Sequence, residues 1–529
     1  MNRARVIYHL ARADFLERVR RYSFLIMLGA AAFLGYQTAV GNVTVRLDQY
    51  RGEFNSAWVG SMMSLIGSFF LGWFGFYLVK GSVARDRETG VGQIMATTPL
   101  TRVLYMFGKF ASNFSVLVAM NLVLALAGIG IQFLAGENMQ LNLPAMFAPF
   151  LFITLPMMAM VAAAAVLFES IGFLSGGFGN VVYFFLFVIV FPIADSLSKT
   201  NPALEPLGLG LFQQSMGAAA KAAFPAYDGG FVLGGTGLAE SLGVDIEPQA
   251  TYIFHWSGVD WTPDIILKRL TFFGVAIVFV LLASIFFDRF DPSRSKPRRT
   301  KSSASLSTPV VVSVKQTLSQ PVHLSPLNAS ANGFAFIRVL ISELKLLLKG
   351  QRWWWYAVAI GLFIAGILNK PEIARQFILP VSWLWPVLIW SGLGSREIQH
   401  NAHQMVFSSA APLWRQLPAT WLAGFIVTVL TGSGVALKLL SAGDDVGLLA
   451  WISGAIFIPS FALASGVWSN SHKLFEVVYV VLWYLGPMNK VYAVDYLGSN
   501  SSGNIGFFLP LSIVLIIAAF IGRARQLQN

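Results

Sequence analysis

The sequence contains no cysteine, so neither a disulfide framework nor a thiolate nucleophile or metal ligand can be built from it. Charge is scarce: 12% of residues are Asp, Glu, Lys or Arg, against 56% hydrophobic. That balance excludes an ordinary soluble enzyme. The pattern Gly-x-x-x-x-Gly-Lys-Ser/Thr is missing, because Gly108-Lys109 is followed by Phe110 and has no glycine loop upstream. No phosphate cradle is therefore expected on this chain. A Gly-x-Ser-x-Gly elbow is also missing, which removes the usual basis for serine hydrolysis. Finally, the middles of the apolar runs lack ionisable residues, since Glu169, Asp195, Lys438 and Glu476 all fall near run ends. A central charge costs roughly 2.5–3.5 kcal/mol on insertion scales and marks ion relays where it is kept, so its absence argues against a secondary transporter.

What the sequence does have is apolar runs of about twenty residues, long enough to cross a bilayer. Each must be helical, because hydrocarbon offers no partner to an unpaired backbone group. The reading is an all-α polytopic membrane protein with about twelve spans. The first six are expected at Tyr22–Val40, Ala57–Val79, Phe110–Leu134, Leu143–Phe168, Ile171–Ala194 and Leu270–Phe287. The second six are expected at Trp353–Leu368, Phe377–Leu393, Ala419–Leu437, Leu448–Trp468, Leu474–Met488 and Ile505–Ile521. This divides the chain into a membrane half at 1–290, a Ser-, Pro- and Lys/Arg-rich linker at 291–333, and a second half at 334–529. The linker has no sustained apolar period and reads as a flexible cytoplasmic segment.

The excess of 37 Lys and Arg over 25 Asp and Glu lies mainly beside the apolar runs, which reads as membrane topology rather than a nucleic-acid face. Six arginines precede the first run, Lys80 to Lys109 carry five basic residues between the second and third, and the linker is basic. These segments, and with them both termini, are expected in the cytoplasm. The connection 197–265 carries seven acidic residues against Lys199 and Lys221 and is expected outside. The Arg-rich start leads into a full-length run without a cleavage pattern, so it reads as mature sequence and not as a signal peptide.

The two halves repeat more than a span count. A polar stripe at Arg338, Ser342, Lys345 and Lys349 precedes the seventh run at the spacing of a helix lying in the interface, and Arg5, His9 and Arg12 echo it before the first. Both halves place an Arg-Glu pair after the second run, at Arg87-Glu88 and Arg396-Glu397. Both then carry Pro-Leu-x-Arg, at Pro99 to Arg102 and Pro412 to Arg415. The intervening 89–98 and 398–411 differ by about one helical turn. Internal duplication accounts for this most simply.

These residues resemble a known family, the permeases of the type 2 ABC exporters. Glu88, Gly90, Pro99, Leu100, Thr101, Arg102, Gly108 and Lys109 stand in that family's segment between its second and third spans. The sequence departs from it at Val91 and Gln93, and the second copy lacks both the Gly and the Gly-Lys. The resemblance implies a coupling helix in each half that docks on a separate ATP-binding subunit, with interfacial elbow helices before spans one and seven. The coupling residues would be Arg87, Glu88, Gly90, Pro99, Arg102, Lys109, Arg396, Glu397, Pro412 and Arg415. ATP and magnesium would then be held by the partner, expected in two copies per chain, and no cofactor is expected on this one. The location implied is the plasma (inner) membrane of a prokaryotic cell.

The resemblance also places a central cavity between the second and fifth spans. Ser64, Ser68, Phe69, Trp73, Phe76, Tyr183 and Phe184 would line it in one half, and Trp383, Trp385, Tyr479 and Trp483 in the other. Small residues at Gly60, Ser64, Ser68 and Gly72 are more often the stripe of a packed helix than a pathway, and aromatics near span ends more often interfacial anchors. An apolar, aromatic cavity would suit a hydrophobic or amphipathic cargo such as a peptide, drug or lipid-like molecule. Two rivals stand beside transport: a nontransporting anchor or sensor that recruits an ATPase, and a metal-dependent membrane enzyme using Glu397, His400 and His403.

Overall fold

The computed structural model describes residues 3–20, 22–39, 44–228, 231–234, 252–290, 335–349, 351, 353–409, 411–488, 491–499 and 504–528. The linker expected at 291–333 lies outside the described residues. Apolar runs become helices throughout. The first half contains α1 (Arg3–Val19), α2 (Tyr22–Ala39), α3 (Ser56–Val79), α4 (Ser82–Glu88), α5 (Val91–Thr97) and α6 (Arg102–Ala135). It continues with α7 (Leu143–Pro149), α8 (Leu155–Ser170), α9 (Gly177–Thr200), α10 (Leu209–Ala223) and α11 (Pro263–Phe286). The second half has α12 (Ala335–Leu348), α13 (Trp353–Leu368), α14 (Leu379–Leu384), α15 (Val387–Trp390), α16 (Arg396–Gln399) and α17 (His403–Phe407), then α18 (Pro412–Ala442), α19 (Asp445–Ser469), α20 (Lys473–Trp483) and α21 (Ile505–Gln528).

Among the described residues, eight helical stretches are long and apolar enough to cross a membrane: Ser56–Glu88, Arg102–Leu134, Leu143–Ser170, Gly177–Thr200, Pro263–Phe286, Pro412–Ala442, Asp445–Ser469 and Ile505–Gln528. The protein is thus a helical, membrane-embedded chain. Apolar helices also occupy Phe24–Thr38 and Trp353–Leu368 but are shorter. Two further expected spans are broken by π turns, at Ala374–Ile378 and Tyr484–Met488. Proline explains one break: Pro380 has no amide to continue the ladder begun before it. The same Leu-Pro step follows the π turn Phe150–Thr154 that separates α7 from α8.

A small sheet caps one end, which the sequence reading did not anticipate. Its order is β3-β1-β2-β4, built from β1 (Thr44–Leu47), β2 (Tyr50–Gly52), β3 (Phe231–Gly234) and β4 (Tyr252–Phe254). β1 runs antiparallel to β3, with Thr44 opposite Gly234, and β2 runs parallel to β4. Trp58, Phe212, Phe254 and Trp256 form its buried floor together with α10. Asn55 anchors this floor to the membrane helices: its Oδ1 accepts from Trp58 N at 2.9 Å, capping α3, and its Nδ2 donates to Trp256 O at 2.8 Å. The charged connections α4–α5 and α16–α17 sit at the other ends of their helices.

Packing within each half follows one order. α1 lies on α6 and α12 on α18; α2 packs on α6 and α13 on α18; α8 packs on α11 and α19 on α21. The halves meet chiefly where α9 lies along α20.

Candidate docking connections and the interface between the halves

The connection between the second and third runs folds as two short helices, α4 and α5, because Gly90 breaks them. At φ 75° it adopts the left-handed conformation that only glycine takes without strain, with nothing within 4 Å of where a Cβ would stand. α4 starts on a carboxylate. Glu169, at the end of α8 and 5% exposed, accepts from the amides of Gly81, Ser82, Val83 and Ala84 at 2.6, 3.1, 2.5 and 3.2 Å. It thereby satisfies the free amides of a helix start and places its negative charge at the positive end. α5 ends on Arg289, whose guanidinium donates to Thr98 O at 3.0 Å, while the Phe290 ring covers Gly92. Arg87 donates to both oxygens of Asp288 at 3.1 Å. The chain leaving the last helix of the first half therefore clasps the connection.

Lys109 lies inside the fold. It is fully buried, with Nζ 2.7 Å from Asp14 and 2.6 Å from Asp86, so it ties α1 to α4 and α6 instead of facing a partner. Tyr105 donates to the same Asp86 oxygen at 2.7 Å, and Arg85 pairs with Glu17. Gly108 allows the approach, since a Cβ there would stand 2.2 Å from Leu10 Cδ2.

The second connection reproduces this arrangement in a different register. Arg396 faces Glu343 of α12 at 3.7 Å. Glu397, 7% exposed, accepts from Gln416 of α18 at 2.8 Å and lies 3.3 Å from Arg523. An arginine reaching the helix that opens its half and an acid reaching the helix after the connection are also the contacts of Arg85 and Asp86. By these contacts Arg396-Glu397 corresponds to Arg85-Asp86, two residues before the Arg87-Glu88 pair the motif suggested. Glu397 is likewise an internal tie. Burial pushes the Glu343 carboxyl above the usual carboxylate range, opposed by Arg396. The polar stripe Arg338, Ser342, Lys345 and Lys349 is exposed while Glu343 and Leu347 are buried, as a helix lying on its side requires.

Of the remaining expected docking residues, Glu88, Pro99 and Arg415 are exposed, and Arg102 and Pro412 are half-buried. Sequence reasoning missed the apolar residues between them: Ile94 is 68% exposed on α5 and Met405 77% on α17. Exposed apolar side chains on short polar connections were the available signal.

Several of the expected pathway aromatics lie second helix against fifth in each half. Phe76 stacks on Tyr183 with centroids 3.7 Å apart, and Tyr183 donates to Gly72 O at 2.5 Å. Trp73 packs on Phe184 and Phe187, and Phe69 on Trp73. In the other half Tyr479 donates to Trp383 O at 2.8 Å, and Trp483 to Pro380 O at 2.8 Å. Trp385 donates to Trp355 O at 3.2 Å and turns away from α20. Ser64 and Ser68 are fully buried and share the Thr154 hydroxyl at 2.8 and 3.1 Å, the contacts of the packed stripe weighed in the sequence beside a pathway role.

Across the halves, Phe184 meets Tyr484 and Phe185 meets Trp483. Asn180 Nδ2 donates to Glu476 Oε2 at 2.5 Å and its Oδ1 accepts from Lys80 at 2.7 Å. Lys473 donates to the Lys80 carbonyl, one residue before the amides that Glu169 holds. The network thus runs from α4 into the seam between the halves. Among the described residues no three His, Asp or Glu side chains converge as a metal site; Glu397 is engaged by Gln416 and Arg523. No family model matches the sequence, and no curated protein is similar to it.

Proposed function

We propose that this chain is the membrane permease of an ATP-driven exporter of the type 2 ABC class, powered by a separate ATP-binding subunit. The observation that carries the reading is the pair of connections: each follows the second helix of its half, consists of two short helices, is bound through buried charge to the helix that opens its half, and exposes an apolar side chain. A soluble partner docking there would pull on α4, hence on Glu169, Lys80 and the seam. The matched packing order of the halves supports two six-span repeats, with the four short or broken helices completing the set. One chain then offers two docking sites and takes two ATPase copies. The aromatic contacts between second and fifth helices favour a hydrophobic or amphipathic cargo, released where α9 and α20 part.

The test is copurification with the candidate ATPase in lipid nanodiscs. Ile94→Asp and Met405→Asp are each expected to lower ATPase recovery and stimulated hydrolysis, with the chain-to-ATPase ratio falling from 1:2. A chain that binds its ATPase equally well with both substitutions would refute docking at these connections. Binding without cargo-stimulated hydrolysis would favour the nontransporting anchor.

A further inference from the structure

A second surface runs along α12, the helix that opens the second half. At 3.6 residues per turn its sides carry three kinds of chemistry. One side is buried against α18 and holds Glu343 and Leu347, 7% and 6% exposed. The next side leaves Ile337 and Ile341 exposed, at 47% and 45%. The third faces away from the bundle and carries Arg338, Lys345 and, just past the helix end, Lys349, all exposed. The charges are therefore sorted by sign. Glu343 is the one acid of α12, and it turns inward to Arg396 at 3.7 Å. α1 repeats the sorting: Arg5 and Arg12 are exposed, while Asp14 turns in to Lys109 at 2.7 Å and Glu17 pairs with Arg85. Membrane topology asks only for basic residues near a span. It does not ask that they share one side of a helix with the acid on the other.

The next helix fixes the level at which α12 lies. α13 begins with Trp353 and Trp354, 81% and 46% exposed, and exposed tryptophan at a span end sits among lipid headgroups. The Tyr356 hydroxyl holds the two helices together, donating to Leu348 O at 3.3 Å. A helix at that level sets its isoleucine side toward the acyl chains and its cationic side among the headgroups. Any headgroup can meet the helix there, but a row of lysines draws a net negative one. We propose that the outer face of α12 binds anionic phospholipids of the surrounding bilayer, their headgroups seated against Lys345 and Lys349. The proposal stands on α12 and holds whether or not the chain transports.

Fluorescence quenching by lipid tests it on the full chain. The sequence has no cysteine, so Ile341→Cys can carry a single bimane fluorophore in nanodiscs of mixed phosphatidylcholine and phosphatidylglycerol. A trace lipid spin-labelled near the top of its acyl chain is added with one headgroup or the other. The phosphatidylglycerol form should quench equally well at about fivefold lower mole fraction, the effect of one cation held near an anionic surface. High salt should shrink that preference. A fluorophore at Leu281→Cys, on the exposed side of α11, should show no preference. Lys345→Gln combined with Lys349→Gln should erase the preference at Ile341→Cys. Failure of both lipids to quench would place α12 clear of the membrane, and equal quenching by both would mean contact without recognition. Either result overturns the proposal, as would the same preference at Leu281→Cys, and these three comparisons leave both lysines in place. A preference that survives the double lysine change would overturn the assignment to this face.

Discussion

Lys109 belongs to a Gly-Lys step that reads, in sequence, like a residue kept for a partner, yet its ammonium is inside and shared by two carboxylates. Nothing in a string of letters distinguishes a lysine facing water from one facing Asp14, which lies 95 residues earlier. Removing the cation leaves Asp14 and Asp86 close together in a poorly solvated site. Lys109→Met should therefore cost about 3–5 kcal/mol, the usual result of breaking a buried pair. Glu88→Gln, at an exposed site, should stay within about 0.5 kcal/mol of wild type. Thermal melting of both purified variants checks this; equal melting temperatures would mean the cluster bears no stability. The sheet end offers a pH-dependent case. Arg51 donates two hydrogen bonds to Glu137 at 2.9 and 2.5 Å and the Phe54 amide adds a third, which holds the Glu137 carboxyl below the usual carboxylate range. A depressed folded-state value means stability present above the unfolded value and lost as pH falls through the folded one. Since the Glu137 side chain is 36% exposed and solvent screens the pair, Glu137→Gln should cost only a few tenths to about 1 kcal/mol at pH 7. The difference from wild type should vanish on acidification below the ordinary carboxylate range; a difference constant with pH would rule out the charge as its source.

At the scale of elements, the apolar runs were legible because a membrane demands about twenty consecutive apolar residues and tolerates only helices. The strands were not, because pieces of three and four residues carry too little alternation to stand out, and β2 finds its partner about 200 residues away. Letters and contacts pair the two connections differently: Arg87-Glu88 matches Arg396-Glu397 in letters, whereas Arg85-Asp86 matches it in contacts. Exposure, which sequence does not state, separates the two pairs. Glu169 was noticed only as a charge near a span end, although it is the acceptor on which α4 starts. Charge-assisted hydrogen bonds of this kind are worth roughly 1.5–3 kcal/mol. Glu169→Gln keeps the shape and removes the charge, so α4 should fray more often while the spans hold. Limited trypsin digestion should then cut after Arg85 and Arg87 several-fold faster, with cutting after Arg396 unchanged. Uniform acceleration at both connections would mean that Glu169 supports the fold in general and not α4 in particular.

For the whole molecule, the decisive surface is the seam where α9 lies along α20, held by the Phe184–Tyr484 and Phe185–Trp483 ring contacts and by Asn180, Glu476, Lys80 and Lys473 at the connection end. Polar groups buried there bind strongly only in one alignment, so a small displacement of α4 has two outcomes, the network kept or the network broken. An exporter needs such a seam to open and close in each cycle. The chain's lack of cysteine makes this testable without background. A chain carrying Phe185→Cys and Trp483→Cys, whose rings in the native protein lie 6.0 Å apart, should be joined rapidly by a short bis-maleimide. After cleavage at a protease site inserted in the linker, the two halves should migrate as one band. Under the transport reading, the joined chain should still recruit its ATPase, because docking lies at the connections, but cargo-stimulated hydrolysis should fall at least tenfold. Full stimulation in the joined chain would show that the seam does not part during the cycle, and the pathway would have to be sought elsewhere in the bundle.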